Sequence, residues 1–316
     1  MTSTLLARAR RTVMGVPERE IQAFKSGAGP KWTHLEHAVR AAVGGYHAVV
    51  DGGSLGDIMQ RVDIVPEPLR GYAYEGVAMG LTGLDLVTPG PSRLRAFLAG
   101  PGNGHIYMSH IGVGEALARL KRRPEPYLAR LEDPVLRWLV LDGYGFHQGF
   151  FARPRFVDHQ QVPGFLSPFG KRIFDQGVGR SIWFTAGADI NRISADIAAF
   201  APRRHADLWV GVGVACSYVG GLPRSDIIDL RNACGRHLPS VATGVAFAAR
   251  GRHRAANVIS GTDLACDVLC GVNSDQASTL VQNTFDILPV RSPRPGYELL
   301  LAHLRTTFSA SIPAPA

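Results

Sequence analysis

The chain has 316 residues, 46% hydrophobic and 19% charged, which excludes a disordered or collagen-like polypeptide and leaves ample length for a large core. The formal net charge is +8, and the basic excess falls in short clusters, Lys121–Arg123, Lys171–Arg172, Arg203–His205 and Arg250–Arg254. These clusters read as solvated loops or as a rim for an acidic partner such as a carrier protein, and no nucleic-acid motif accompanies them.

The opening MTSTLLARARRTVMGVPERE lacks the apolar stretch of a signal peptide. The longest uncharged run, 208–223, is short of a membrane span and rich in glycine, so a soluble cytoplasmic protein without a transmembrane segment is expected. Residues 1–40 are expected to form a separate helical arm, residues 41–307 a helical-repeat domain and residues 308–316 a disordered tail.

The central run is organised by glycine. The strings 74-YEGVAMGL-81, 110-HIGVGEAL-117, 141-LDGYGFHQ-148, 175-DQGVGRSI-182, 209-WVGVGVAC-216 and 242-ATGVAFAA-249 align with glycine at every third place: Gly76, Gly112, Gly143, Gly177, Gly211 and Gly244. By subtraction the steps are 36, 31, 34, 34 and 33 residues. The fifth place is always small: Ala78, Gly114, Gly145, Gly179, Gly213 and Ala246. Gly44-Gly45 in 42-AVGGYHAV-49 aligns as a degenerate earlier copy. A period of about 34 residues is the signature of stacked helical hairpins. The predicted fold is all-α, about seven tandem hairpins in a tetratricopeptide-like solenoid or a closed α/α toroid. Glycine inside a helix costs roughly 0.5–1 kcal/mol relative to alanine, so six copies imply close approach of neighbouring helices as the compensation.

Between the copies, 191–200 and 225–235 read as amphipathic second helices, the latter capped by Ser225 and Asp226 and ended by Gly235. Residues 152–170, with three prolines, break that scheme. A long loop packed by Phe156, Phe165 and Phe169 is expected there, either structural or a lid. Cys266 and Cys270, four apart, share a helical face, and the four cysteines are expected as buried free thiols, because no zinc spacing is present.

Second and sixth places of each copy share a helical face. They are Glu75/Met79, Ile111/Glu115, Asp142/Phe146, Gln176/Arg180, Val210/Val214 and Thr243/Phe247. Glu75, Glu115, Asp142, Gln176 and Arg180 should therefore converge on one wall, with His147 and Asp175 at its margin. Such a wall is either a buried ion-pair network or a pocket with acid/base capacity. His110 reads as a hydrogen-bonded core residue. A metal held by His110, Glu115 and Asp142 is geometrically allowed but not adopted, and no cofactor is predicted. The loop 100-GPGNG-104 reads as a turn rather than a phosphate cradle.

The strings 72-YAYEGVAMG-80, 138-WLVLDGYGFHQGFF-151, 174-FDQGVGRSIWF-184 and 206-ADLWVGVGVACSYVGG-221 resemble a bacterial family catalogued as domain of unknown function 1702, some of whose members are labelled UnbL-like. The resemblance runs from about residue 40 to 305, almost the whole chain. It implies a place in natural-product gene clusters, including those for enediyne polyketides, and assigns no reaction step. Carried over by motif, its typical positions are Glu75, Asp142, His147, Gln148, Asp175, Gln176, Arg180 and Trp183.

Together these features predict an enzyme acting on a hydrophobic polyketide or isoprenoid intermediate in an apolar cavity. The expected acid/base or cation-stabilising groups are Asp142, Glu75, Glu115, His147 and Asp175. Arg180 (as anion anchor), Gln176, Gln148, Trp183, Phe146 and His110 would contact substrate. One alternative is a non-catalytic scaffold that holds a carrier protein or biosynthetic partner. Another is a terpene cyclase without aspartate-rich metal motifs.

Overall fold

The computed structural model describes residues 11–12, 14–22 and 30–311. Every element among them is helical: α1 (Glu18–Gln22), α2 (Pro30–Val50), α3 (Leu55–Asp63), α4 (Glu67–Val87), α5 (Arg93–Ala99), α6 (Ile106–Arg119), α7 (Leu139–Phe151), α8 (Pro168–Ala186), α9 (Ile190–Ala198), α10 (Pro202–Val219), α11 (Arg224–Cys234), α12 (Leu238–Arg254), α13 (Ser260–Cys270), α14 (Ser274–Asp286) and α15 (Gly296–Ser311). No strand occurs among the described residues.

Each glycine copy lies inside a long helix. Helices α4, α6, α7, α8, α10 and α12 carry the six copies, α2 precedes them, and each of the seven packs on the next in chain order. Several open with proline in the first turn, where a missing N–H costs nothing, as at Pro68, Pro168, Pro202 and Pro239.

The expected close approach is present and follows a rule. A Cβ added at the third place would strike the backbone carbonyl of the second place in the preceding helix. Gly112 would meet Glu75 O at 2.0 Å, Gly177 would meet Asp142 O at 1.9 Å, Gly211 would meet Gln176 O at 1.9 Å and Gly244 would meet Val210 O at 2.1 Å. The fifth place points forward: Gly145 would meet Phe174 O at 2.1 Å, Gly179 would meet Leu208 O at 2.0 Å and Gly213 would meet Val241 O at 2.1 Å. The earliest copy needs a one-residue correction. Gly45 abuts Ala73 O and Gly76 abuts Ala42 O, so Gly45 holds the fifth place, whereas Gly44 is exposed with no neighbour within 4 Å.

Return helices α3, α5, α9, α11 and α13 follow α2, α4, α8, α10 and α12. After α7 no second α-helix forms, as expected. The chain makes one π turn over Pro154–Asp158. Phe156 and Phe169 are buried there, but Phe165 is exposed, with the Arg123 guanidinium 5.3 Å from its ring centre. The connection after α6 is equally irregular, running through 3-10 turns Glu125–Arg130 and Leu136–Trp138. Pro124, Pro126 and Pro134 explain it.

Other expectations are adjusted. Pro223, not Ser225 or Asp226, occupies the cap of α11, while Gly235 ends the helix at φ 49° as expected. Helix α2 runs unbroken through residue 40, with Leu35 and Ala38 buried, so the expected arm boundary falls inside a packed helix. Residues 308–311 finish α15 with Phe308 buried, and 312–316 lie outside the described residues, as do 1–10, 13 and 23–29 of the expected arm. The basic clusters are not all solvated loops. Arg252 is buried and donates to the carbonyls of Tyr218, Pro68 and Asn257, tying α12 to α10 and α4. His34 Nε2 likewise meets Val219 O at 2.7 Å, joining α2 to the end of α10. All four cysteines are buried free thiols, with Cys266 and Cys270 together on α13.

The contact rule is tested by single methyl groups. Gly145→Ala and Gly179→Ala should each lower the unfolding free energy by about 1–3 kcal/mol or more, because two helices must separate. Gly44→Ala, free of neighbours, should instead raise it by roughly 0.5–1 kcal/mol. Chemical denaturation of the three variants decides the matter, and equal stability for all three would refute the packing rule.

Candidate functional site

Four sixth places of the predicted inward column meet at one pocket, whereas of the six copies' second places only Glu75 lines it. Met79, Glu115, Phe146 and Arg180, the sixth places of four successive copies, all line it, as does Glu75. In the corrected register Ala42 and Tyr46 are the matching pair of α2, and both line it too. Tyr72, one turn before Glu75, and Arg119, one turn after Glu115, extend the faces of α4 and α6. The space measures about 70 Å³. Val16, of the segment before α1, also lines it. That segment is held by Tyr46 Oη donating to Met14 O at 2.8 Å and Val16 N donating to His47 Nε2 at 3.1 Å, and α1 by an Arg119–Glu20 ion pair at 3.1 Å.

The walls are mostly apolar, so the ionisable groups among them carry large desolvation costs. Arg180 and Asp142 meet this cost together, with Nε 2.6 Å from Oδ1 and both side chains buried. The guanidinium also lies 4.6 Å from the centre of the Phe146 ring. Burial pushes the Asp142 carboxyl up, while Arg180 pulls against it. Glu75 of α4 and Glu115 of α6 form a second pair within electrostatic reach of each other. Burial raises both, and Glu75, facing the charge of Glu115, rises well above the ordinary glutamate range. Of the two, Glu75 has the stronger tendency to keep a proton. His147 is held neutral, its pKa lowered to about 3 chiefly by burial and then by Arg119.

The cluster thus gathers Glu75, Glu115, Asp142, Arg180, Phe146 and His147. Other expected site residues lie elsewhere. Asp175 points away into a buried two-toothed ion pair with Arg204, at 2.6 and 2.9 Å. The side-chain oxygen of Gln176 accepts from Tyr297 of α15 at 3.4 Å, and Gln148 donates to Tyr144 Oη at 3.4 Å. Trp183 is wholly buried and does not line the pocket. His110 gives its Nδ1 to Ile106 O at 2.8 Å and lines a different cleft, beside Tyr127 and Asp133. Among the described residues no three His, Cys, Asp or Glu side chains are placed to hold a metal ion. Tyr46, Tyr72, Arg119 and Phe184 were not singled out from the sequence. Tyr72 and Arg119 were recoverable, because each sits one helical turn from a residue that was.

Comparison with known proteins bears on identity at this point. The family model described as "Protein of unknown function (DUF1702)" matches residues 5–308. The chain belongs to this family. No curated protein and no solved structure matches it. Of the residues quoted for the resemblance, Glu75, Asp142, His147 and Arg180 gather at the pocket, whereas Asp175 and Gln176 engage neighbouring helices, Gln148 bonds within α7 and Trp183 is buried in the core. No helix among the described residues of this DUF1702 chain is long and apolar enough to cross a membrane.

The tendency of Glu75 to keep its proton has a consequence for stability. The folded state keeps that proton at pH values where the unfolded chain has lost it. The stabilisation is therefore complete below the ordinary glutamate range and is lost as pH rises toward the folded value. Unfolding free energy should fall as pH rises above the ordinary glutamate range, more steeply in the parent than in Glu75→Gln, every tenfold difference in proton affinity being worth about 1.4 kcal/mol. Denaturation at a series of pH values measures this, and parallel curves would refute protonation of Glu75.

Proposed function

We propose that this DUF1702 protein is an enzyme of natural-product biosynthesis, working in the cytoplasm, that uses Glu75 as a general acid on a hydrophobic intermediate of the polyketide or isoprenoid type. The observation that carries the reading is the Glu75–Glu115 pair: two carboxyls together on the lining of an apolar, aromatic-walled pocket, where burial raises Glu75 well above the ordinary glutamate range. An effective general acid must hold its proton at working pH and part with it only in the transition state. Burial and the charge of the facing Glu115 supply the first condition.

In the proposed step the Glu75 O–H bond breaks as a proton passes to an electron-rich group of the substrate. Glu75 is left as the carboxylate, and positive charge develops on the substrate. The ring faces of Phe146 and Tyr72 suit that charge. Asp142 and Arg180 offset each other and fix the field around it. A proton released later from carbon returns to the Glu75 carboxylate and restores the acid, and the net change is isomerisation or cyclisation without an added reactant. A pocket of about 70 Å³ holds only a few atoms, so substrate entry requires part of its lining to move. The scaffold alternative draws less support. Arg172 engages Asp207 and Glu298, Arg204 engages Asp175, and Arg252 engages carbonyls, which removes much of the basic rim a carrier protein would use.

The test begins with native mass spectrometry of protein purified from its own producer, to identify an apolar co-purifying metabolite. Turnover of that metabolite in deuterium oxide should place deuterium on product carbon or oxygen. Glu75→Gln, which keeps the shape and removes the acid, should cut the rate by about 10²–10⁴-fold while binding persists. Full activity in Glu75→Gln refutes the role of Glu75. A protein that comes without metabolite but retains an acidic carrier protein favours the scaffold.

A further inference from the structure

Three residues of the pocket lining each carry a buried polar atom with no hydrogen-bond partner within the described protein: Tyr72 Oη, Arg180 Nη2 and His147 Nδ1. These residues are 6%, 5% and 7% exposed, so bulk solvent does not satisfy them. A buried unsatisfied polar group costs about 1–3 kcal/mol, and such groups are scarce in folded proteins. Three at one pocket therefore mark a place built to receive a hydrogen-bonding group. Arg180 Nη2 can only donate, and Tyr72 Oη can donate. Glu75 lies one helical turn from Tyr72, within electrostatic reach of it and of Arg180.

We infer that the substrate is not a pure hydrocarbon but an apolar molecule bearing one neutral oxygen, of carbonyl, ether, epoxide or hydroxyl type, which accepts from Arg180 Nη2 and Tyr72 Oη. This rests on the reading of the pocket as a substrate site and adds the class of its ligand. Neutrality follows from the charges present. Arg180 is already balanced by Asp142 and Arg119 by Glu20, so a phosphate or carboxylate would find no unpaired cation among the described residues of the lining to offset its charge. The expected role of Arg180 as an anion anchor is thereby replaced by that of a donor to a neutral oxygen.

The test uses cyclopentanone and methylenecyclopentane, which match in shape and differ only in oxygen against methylene. Binding is followed at the methyl resonance of Met79, which lines the pocket, in methionine-labelled full-length protein. The ketone should shift that resonance at a concentration about ten-fold lower than the alkene, since one hydrogen bond is worth about this much. Tyr72→Phe should reduce the preference several-fold. That variant should also unfold at a higher denaturant concentration than the parent, because an unsatisfied hydroxyl is removed. Equal binding of the two probes overturns the inference and leaves the acid reading standing. A preference that Tyr72→Phe does not change overturns the assignment of the oxygen to this corner. Failure of both probes to move the Met79 resonance up to millimolar concentration overturns the substrate-pocket reading as well.

Discussion

Everything in this fold hangs on the distance between a glycine Cα and a backbone carbonyl on the neighbouring helix. At Gly112, Gly177 and Gly211 even a methyl group would come within about 2.0 Å of that oxygen. Glycine weakens each helix by roughly 0.5–1 kcal/mol relative to alanine, and the return is dense backbone contact between helices, with Cα–H groups facing carbonyl oxygens. The carbonyl that receives the third-place glycine belongs to the second-place residue of the preceding copy. The backbones of Glu75, Asp142 and Gln176 are therefore clamped by the next helix, and their side chains leave from fixed points.

That clamp explains how several ionisable groups persist at an apolar pocket. Desolvating a single charge there would be prohibitive. Four helices instead deliver their charges to one another: α7 gives Asp142 to Arg180 of α8, and α4 gives Glu75 to Glu115 of α6. The first pair cancels by opposite charge. The second cannot, and burial together with the facing charge raises Glu75 well above the ordinary glutamate range. Two carboxyls meeting at an apolar pocket are thus a consequence of helix spacing. The same spacing leaves Tyr72, Arg180 and His147 with unspent hydrogen-bonding capacity beside it.

Much of this was legible in the sequence because its signal is periodic. All six glycine copies lie on helices in the predicted order, and Met79, Glu115, Phe146 and Arg180 share the predicted face. Gln176 failed despite its periodic place, being taken up by Tyr297 of α15, and the other misses had no periodic signature. Gly44 and Gly45 are indistinguishable by type, and only the contact with Ala73 shows that Gly45 holds the equivalent place. Asp175 sits one residue from the column, which turns it about 100° around the helix, toward Arg204 of α10. Neither Arg204 nor Tyr297 could be placed beside its partner without knowing how far the row of helices bends. Gln148 and Trp183 came from family motif alone, and a motif marks helix-packing residues as readily as reacting ones.

The protonation state of Glu75 joins the packing to the chemistry, and it can be observed directly. Glutamate labelled with carbon-13 at the side-chain carboxyl gives separate resonances for acid and carboxylate forms. At neutral pH one resonance of the full-length protein should remain in the acid position, vanish in Glu75→Gln, and titrate only above the ordinary glutamate range. Finding every glutamate as carboxylate at neutral pH would contradict the account at its centre.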